Sequence, residues 1–339
     1  MAALINAYPD EIVWTSGGTE ADNWALWGVA LANLQERGHI LVSAIEHHAV
    51  LEPAHTLREL GFGVEEVRPD TNGVVSAASV GMRLRPETRL VSVMLVNNET
   101  GVIQPVAEIG QTLRANGSVA LLHTDATQAA GKMPLDARAL GCDVLTLSAH
   151  KMGGPKGVGA LYIKRGTPMK AFLRGGAQER GRRAGTENVP GIVGFGLAAE
   201  AARAELASES ARLTALRDEL ELGLATHGAL INGAPVARAP HITNTTLPGR
   251  RAETLALNLD LRGFAVGTGS ACASGAIEPS HVLTAMGRDG ETARASLRIS
   301  LGRTNMAEDV RALLSVLEEL LNRRDAETPR KGRDGEEGL

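Results

Sequence analysis

Apolar runs without polar alternation recur along the first half of the chain, at Ile40–Ser43, Leu90–Val96, Ala120–His123 and Val144–Leu147. Stretches of helical periodicity, such as Ala49–Leu60 and Val106–Ala115, lie between several of them. Strands apolar on both faces, separated by helices, predict a mostly parallel sheet covered on both sides. After about residue 190 the texture changes. The stretch "GIVGFGLAAEAARAELASESARLTALRDELELGLATHG" reads as a long helix, with a break or bend expected at its serine-rich middle. A smaller α+β unit follows, with strands expected near Thr243–Leu247, Phe264–Val266 and Leu297–Ser300. The pattern thus predicts an α/β protein with a large domain over residues 1–200 and a small C-terminal domain over 201–323. Residues 324–339 are charged and almost free of apolar side chains, so they read as a disordered tail.

In an open parallel sheet, ligands bind beyond the carboxyl ends of the strands, so the residues after each strand are the place to look for chemistry. Ser16-Gly17-Gly18-Thr19 precedes an apolar-periodic helix, where free N–H groups and the helix dipole favour a phosphate. A plain capping box, Thr19 with Asp22, is the alternative there. His47 and His48 follow a second strand, Asn97, Asn98 and Glu99 a third, and His123, Asp125 and Gln128 a fourth. Each cluster alone is explained by a turn or cap. Together they converge on one site. A further strand ends in Ser148-Ala149-His150-Lys151, followed by a glycine-rich run.

A lysine at one strand end, an aspartate at its neighbour and a phosphate-binding helix start fit pyridoxal phosphate. That cofactor bonds to a lysine and needs a carboxylate to keep its ring nitrogen protonated. Lys151 directly follows its strand. Lys132 and Lys156 are the rivals, each in a turn bounded by glycine or proline. A second signal is Cys272, set among Gly, Ser and Ala in "FAVGTGSACASGAIEPSHVLTAMG". Such a stretch has little to pack, which favours an exposed, nucleophilic thiol. Cys142, at the start of a core strand, reads as inert.

Composition narrows the setting. A formal net charge of −4 leaves no basic surface for nucleic acid or anionic membrane. No apolar run nears the roughly 20 residues a bilayer span needs. The start, "MAALINAYPDEIVW", lacks a signal-peptide pattern, so a cytoplasmic protein is expected. Two cysteines make neither a disulfide framework nor a zinc cluster.

The segments "TSGGTEADNWAL", "EHHAVLEP", "NNETGVIQPV", "HTDATQAAGK", "SAHKMGGPKGVGALYI", "RRAGTENV", "GSACASGAIEPSHVL" and "LRISLGR" resemble the cysteine desulfurases of the NifS/IscS type, in order and over most of the chain. That group lies in the class V aminotransferase family. The resemblance implies fold type I of the pyridoxal-phosphate-dependent transferases, with a mostly parallel sheet of the seven-stranded type, and a homodimer. It implies that Lys151 carries the cofactor, Asp125 pairs with its ring nitrogen, Gln128 with its ring hydroxyl, and His47 stacks on the ring. Gly18, Thr19, Ser148 and His150 would hold the phosphate, and Thr186 would reach the partner subunit's phosphate. Asn98 and Arg298 would hold the carboxylate of L-cysteine. Cys272 would take the sulfur as a persulfide, leaving L-alanine, and would be the point of any iron contact. The sulfur would pass to an acceptor protein, an iron–sulfur scaffold or a tRNA-thiolation protein.

The resemblance also implies a further N-terminal segment, with part of the small domain, the substrate entrance and dimer contacts. Its absence before "INAYPDEIVW" raises the expectation of reduced stability and turnover. Two alternatives stay open: another transaminase or lyase of this fold, against which the Cys272 stretch argues, and a non-catalytic partner of a full-length desulfurase.

Overall fold

A computed structural model describes residues 1–268 and 279–323. The large sheet contains β1 (Ile12–Thr15), β2 (His39–Ser43), β3 (Gly63–Val67), β4 (Thr88–Ser92), β5 (Leu121–Asp125), β6 (Val144–Ser148) and β7 (Gly159–Ile163). Their order is β1-β7-β6-β5-β4-β2-β3. Pairing is parallel from β3 through β2, β4 and β5 to β6, whereas β7 runs antiparallel to both β1 and β6. The unalternating apolar pattern of the strands follows from burial on both faces. On one side α1 (Gly18–Ala32) and α2 (His48–Glu59) close over Val13, Ile40, Val42 and Leu161, with Trp24 and Leu57 among them. On the other, α3 (Ala77–Gly81) and α4 (Val106–Ala115) bring Val80 and Ile109 onto Leu41, Val91, Leu122 and Leu145.

The strand expected to run to Val96 stops at Ser92. Val93 and Leu95 still donate to the carbonyls of His123 and Asp125. On the opposite flank, however, β2 has ended, and the N–H of Met94 donates to the Glu46 carboxyl at 2.6 Å. A side chain replaces the ladder there, and the backbone turns away to form the loop that carries Asn98.

The smaller sheet is antiparallel, with β8 (Leu230–Ile231), β9 (Ile242–Thr246), β10 (Gly267–Thr268) and β11 (Ser296–Ser300) in the order β10-β11-β9-β8. Beside the short turn α5 (Gln178–Gly181), the helices of this half of the chain are α6 (Val189–Thr226), α7 (Ala252–Asp260), α8 (His281–Ala285), α9 (Gly290–Arg294) and α10 (Ala307–Arg323). The expected break in the long helix is absent. α6 is continuous over 38 residues, roughly 57 Å at 1.5 Å per residue. Its serines do not interrupt it: Ser208 returns its hydroxyl to the Glu205 carbonyl, and the Ser210 carbonyl accepts from Thr214. The expected boundary at residue 200 falls inside this helix. Phe195 and Ala199 pack into the large-sheet core, while Leu213, Leu216, Leu220 and Leu224 pack against α7, α10 and β11.

The strand expected at Phe264–Val266 lies instead at Gly267–Thr268, opposite Arg298 and Leu297. Phe264 still closes the C-terminal turn of α7, its N–H donating to the Leu259 carbonyl. Among the described residues no helix is long and apolar enough to cross a membrane. The expected tail at 324–339 lies outside the described residues.

Candidate active site

A cavity of about 280 Å³ opens beyond the carboxyl ends of the large-sheet strands. It is lined by Gly18, Thr19, Asp22, His47, Asn98, Asp125, Thr127, Gln128, Ser148, His150, Lys151 and Arg298. Residues singled out at all five strand ends therefore meet in one place, joined by Arg298 from β11 of the other sheet, whereas Ser16, His48, Asn97, Glu99 and His123 stand outside the lining. Larger hollows, of about 460 and 630 Å³, lie along Lys164–Lys170 and Leu173–Ala177. Their one acid, Asp10, is already paired with Arg165 at 2.7 Å, so they offer no comparable lysine–carboxylate set.

The sequence builds this place locally. α1 begins at Gly18 after Gly17, with no side-chain cap. The capping box of Thr19 with Asp22 does not form, and the N–H groups of the first turn are left without a side-chain acceptor. Gly17 is crowded by β7: a Cβ at Gly159 would stand 2.5 Å from the Gly17 carbonyl carbon, so only glycine lets the strand pass. Lys151 sits in a one-turn 3₁₀ helix closed by Gly153 at φ 85°, a left-handed position that glycine adopts without strain. The bare backbone after Lys151 is thus a packing and turn requirement. Neither rival lysine lines the cavity, and Lys132 lies in the field of Glu209, Arg303 and Arg212.

Electrostatics divide the cavity into distinct ends. Asp125 is buried, and its Oδ1 accepts from the Thr127 N–H at 2.8 Å. Burial raises its pKa, while His47 and Lys151 pull it back. Lys151 is held below the usual lysine range by burial and by the Arg298 charge, against the pull of Asp125. His47 caps α2: its Nδ1 accepts from the Ala49 N–H at 3.1 Å, which places the proton of the neutral ring on Nε2. Burial lowers its pKa as well. Ser148 Oγ and His150 Nδ1 are 2.9 Å apart at the phosphate-like end. At the other end Arg298 Nη1 donates to the Asn98 carbonyl at 3.3 Å.

Thr127 and His241 escaped the sequence reading, and Asp22 was read there only as a helix cap. Thr127 and Asp22 line the cavity. Beneath them His123, fully buried, bonds Ser92 and Thr146 through its two ring nitrogens and is driven by burial to about 3, so it is neutral. Asp22 lies 3.6 Å from it and is raised by burial, then by the Asp125 charge. His241, just before β9, stands 3.3 Å from Gln128 Oε1 and is likewise lowered by burial to about 3. No local pattern marks His241, because it acts through Gln128, 113 residues away. Asn97 is structural: its side chain ties the loop to the Ile45 carbonyl and accepts from Glu99 and Thr100.

Thr186 is not brought to this cavity. It lines a separate hollow with Ser16, Arg183 and Asn188. Cys272 lies outside the described residues. Among the described residues no group of three or more His, Cys, Asp or Glu side chains could hold a metal.

Buried polar groups are almost always paired, yet Asn98 Oδ1, Thr127 Oγ1 and Arg298 Nε in the cavity wall have no protein partner. An uncapped helix start with hydroxyls and an imidazole, a buried carboxylate, and a lysine of lowered pKa match the phosphate, ring nitrogen and aldehyde of pyridoxal phosphate. The residues fit the group.

The comparisons with known proteins agree. The model of the aminotransferase class-V family matches residues 1–313. A cysteine desulfurase IscS of Methanosarcina thermophila is 47% identical over 95% of this chain and 80% of its own length. Among solved structures, a NifS-like protein superposes with a TM-score of 0.89 at 39% identity, covering 95% of this chain and 85% of its own. A structure described as SspA in complex with cysteine gives 0.77 at 34% identity, over 88% and 84%.

Proposed function

From the premise that this chain belongs to the class V aminotransferase family and is a pyridoxal-phosphate-dependent cysteine desulfurase, we propose the following roles for its residues. One observation carries them: a single cavity gathers Lys151, Asp125, His47, Gln128, Ser148, His150, Thr19, Asn98 and Arg298. When bound, the cofactor supplies an electron-withdrawing ring conjugated to the substrate's nitrogen.

Lys151 Nζ holds the cofactor and afterwards moves protons at the substrate carbon. Its lowered pKa lets the free amine form. The Asp125 carboxylate would hold the ring nitrogen, and its charge would favour the protonated ring. His47 would stack on the ring. Gln128 is oriented by the neutral His241, which donates to Oε1 and so leaves the amide NH2 free, where it would hold the ring hydroxyl. Gly18 and Thr19 at the start of α1, with Ser148 and His150, hold the phosphate. The Arg298 guanidinium, steadied by the Asn98 carbonyl, grips the carboxylate of cysteine. The ligand named for the SspA structure supports that choice of substrate.

The Cys272 thiolate then forms an S–S bond with the substrate sulfur as the substrate's C–S bond breaks. The released electron pair stays with the carbon skeleton, which takes up a proton and leaves as alanine. A persulfide remains on Cys272, for transfer to an iron–sulfur scaffold or a tRNA-thiolation protein in a reducing compartment such as the cytoplasm. Thr186 serves the site of a second copy in a homodimer.

The test is to load the protein with pyridoxal phosphate, reduce with borohydride and map the attachment. Label on Lys151, with alanine and persulfide formed by the parent and neither by Cys272→Ser, is expected. Label on Lys132 or Lys156, or full alanine production by Cys272→Ser, would overturn the assignment.

A further inference from the structure

The described chain resumes after residue 278 with a stem whose attachments are unusual for its place in the sequence. Ser280 and α8 follow the small-domain strand β10, yet Val282 and Leu283 are buried in the large-sheet core with Leu95, Val96 and Val75. Ser280 is buried, and its hydroxyl does two things. It accepts from the Leu283 N–H at 3.2 Å, capping α8. It also donates to Glu99 Oε2 at 2.5 Å, across 181 residues of chain. The next residue repeats the pattern. His281 Nε2 lies 2.9 Å from the Glu46 carbonyl, and its ring packs against His48 at 4.8 Å between centroids.

These anchors are not scattered. Glu99 follows Asn98, which lines the cavity and receives Arg298. Glu46 and His48 flank His47. The carboxyl of Glu99 is itself buried, with Ser280 as its side-chain partner and Arg298 as the charge that acts on it. The other stem of the same segment is β10, paired with β11 at Arg298. Residues 269–278, Cys272 among them, thus lie between two stems fastened to the residues that face substrate and cofactor.

We propose that Glu99 is a positioning residue for sulfur transfer: through Ser280 it fixes the stem of the Cys272 segment to the loop that presents Asn98. This rests on the reading of Cys272 as the sulfur acceptor. Glu99 does not line the cavity, so it touches neither the cofactor nor the incoming cysteine. Its effect falls on the later step, in which the Cys272 sulfur must meet the substrate sulfur and proximity governs the rate.

The experiment separates the two halves of the reaction in the full chain loaded with pyridoxal phosphate. Rapid mixing with cysteine reads adduct formation from the cofactor's absorbance, and mass spectrometry in a single turnover reads persulfide on Cys272. Glu99→Ala is expected to form the adduct at the parental rate and cysteine concentration. Its persulfide should appear roughly tenfold more slowly, the rate equivalent of one lost hydrogen bond. Glu99→Gln, which keeps an acceptor for the Ser280 hydroxyl, should recover most of that loss. Ser280→Gly keeps a tolerated N-cap residue on α8 while removing the donor. It should match Glu99→Ala, and the double variant should be no slower than either. A parental persulfide rate in Glu99→Ala, or in Ser280→Gly should the first variant not fold, overturns the proposal. So does an equal loss of adduct formation, or additive losses in the double variant. Undiminished alanine production by Cys272→Ser would instead overturn the reading of Cys272 on which it rests.

Discussion

Glu46 is fully buried in the large domain, with Oε1 accepting from Ser43 Oγ at 2.5 Å and from the Met94 N–H at 2.6 Å, while Oε2 has no partner. Burial, opposed by those two bonds and aided by the Asp125 charge, raises its pKa from 4.5 to about 8. The folded protein therefore keeps a proton on Glu46 at neutral pH that the unfolded chain has released. Folding binds more protons than unfolding between those two values, so this group's contribution to stability falls as pH rises from about 4.5 to about 8 and levels off above. At about 1.4 kcal/mol per pH unit, the loss between pH 5 and pH 7.5 comes to about 3 kcal/mol. Glu46→Gln keeps an oxygen acceptor for Ser43 and Met94 and places an NH2 where the protonated oxygen was. It has no proton to lose. The variant should match the parent near pH 5 and exceed it increasingly toward pH 7.5, by on the order of 5 °C in Tm. Thermal scans of both proteins at saturating pyridoxal phosphate measure this. Glu99 titrates in both proteins and cancels, while Asp22 and Asp125, which share the field of Glu46, are counted with it in the measured difference. A Tm difference that stays constant from pH 5 to 7.5 would falsify the claim that the fold holds this proton.

Other outcomes follow from the same geometry. Arg298→Lys loses the two-pronged grip on the substrate carboxylate and should raise KM for cysteine roughly tenfold or more with cofactor binding unchanged; steady-state kinetics beside a cofactor titration check it. Asp125→Asn removes the charge opposite the ring nitrogen and should lower kcat by roughly a hundredfold or more, measured as alanine release at saturating cysteine. Cys142 is buried, and its thiol is pushed up to about 12, so an alkylating reagent should leave it unlabelled until the protein unfolds. Cys142→Ser should keep parental alanine production.

The local chemistry of the site was legible because a parallel sheet aligns its strand ends. Once Ile40–Ser43, Ala120–His123 and Val144–Leu147 read as buried strands, the polar residues just after them had to share an edge. That reasoning placed His47, Asp125, Ser148 and Lys151 together, and the structure lines one cavity with them. It separated Lys151 from Lys132 and Lys156 by adjacency to a strand alone. Arg298 was reached only through the family resemblance, since nothing near it in the chain announces a carboxylate grip.

Local preference misread the places where distant groups set the outcome. The serines near the middle of α6 suggested a bend, but hydroxyls that return to carbonyls one turn earlier leave the helix intact, and packing on two separate cores carries it unbroken through residue 200. The strand toward Val96 ended early because a carboxyl from Glu46 took the place of a neighbouring strand. The strand order, which sets β1 beside β7, is a matter of pairing between segments more than 140 residues apart. The same holds for the burial that neutralises His123 and His241 and for the tie from Glu99 to Ser280. The sequence by itself determined which residue types stand at each strand end, since hydrophobic period and turn chemistry act over a few residues. Only the tertiary structure decided which of them lose their water and meet, because desolvation and long-range contact depend on everything packed around them.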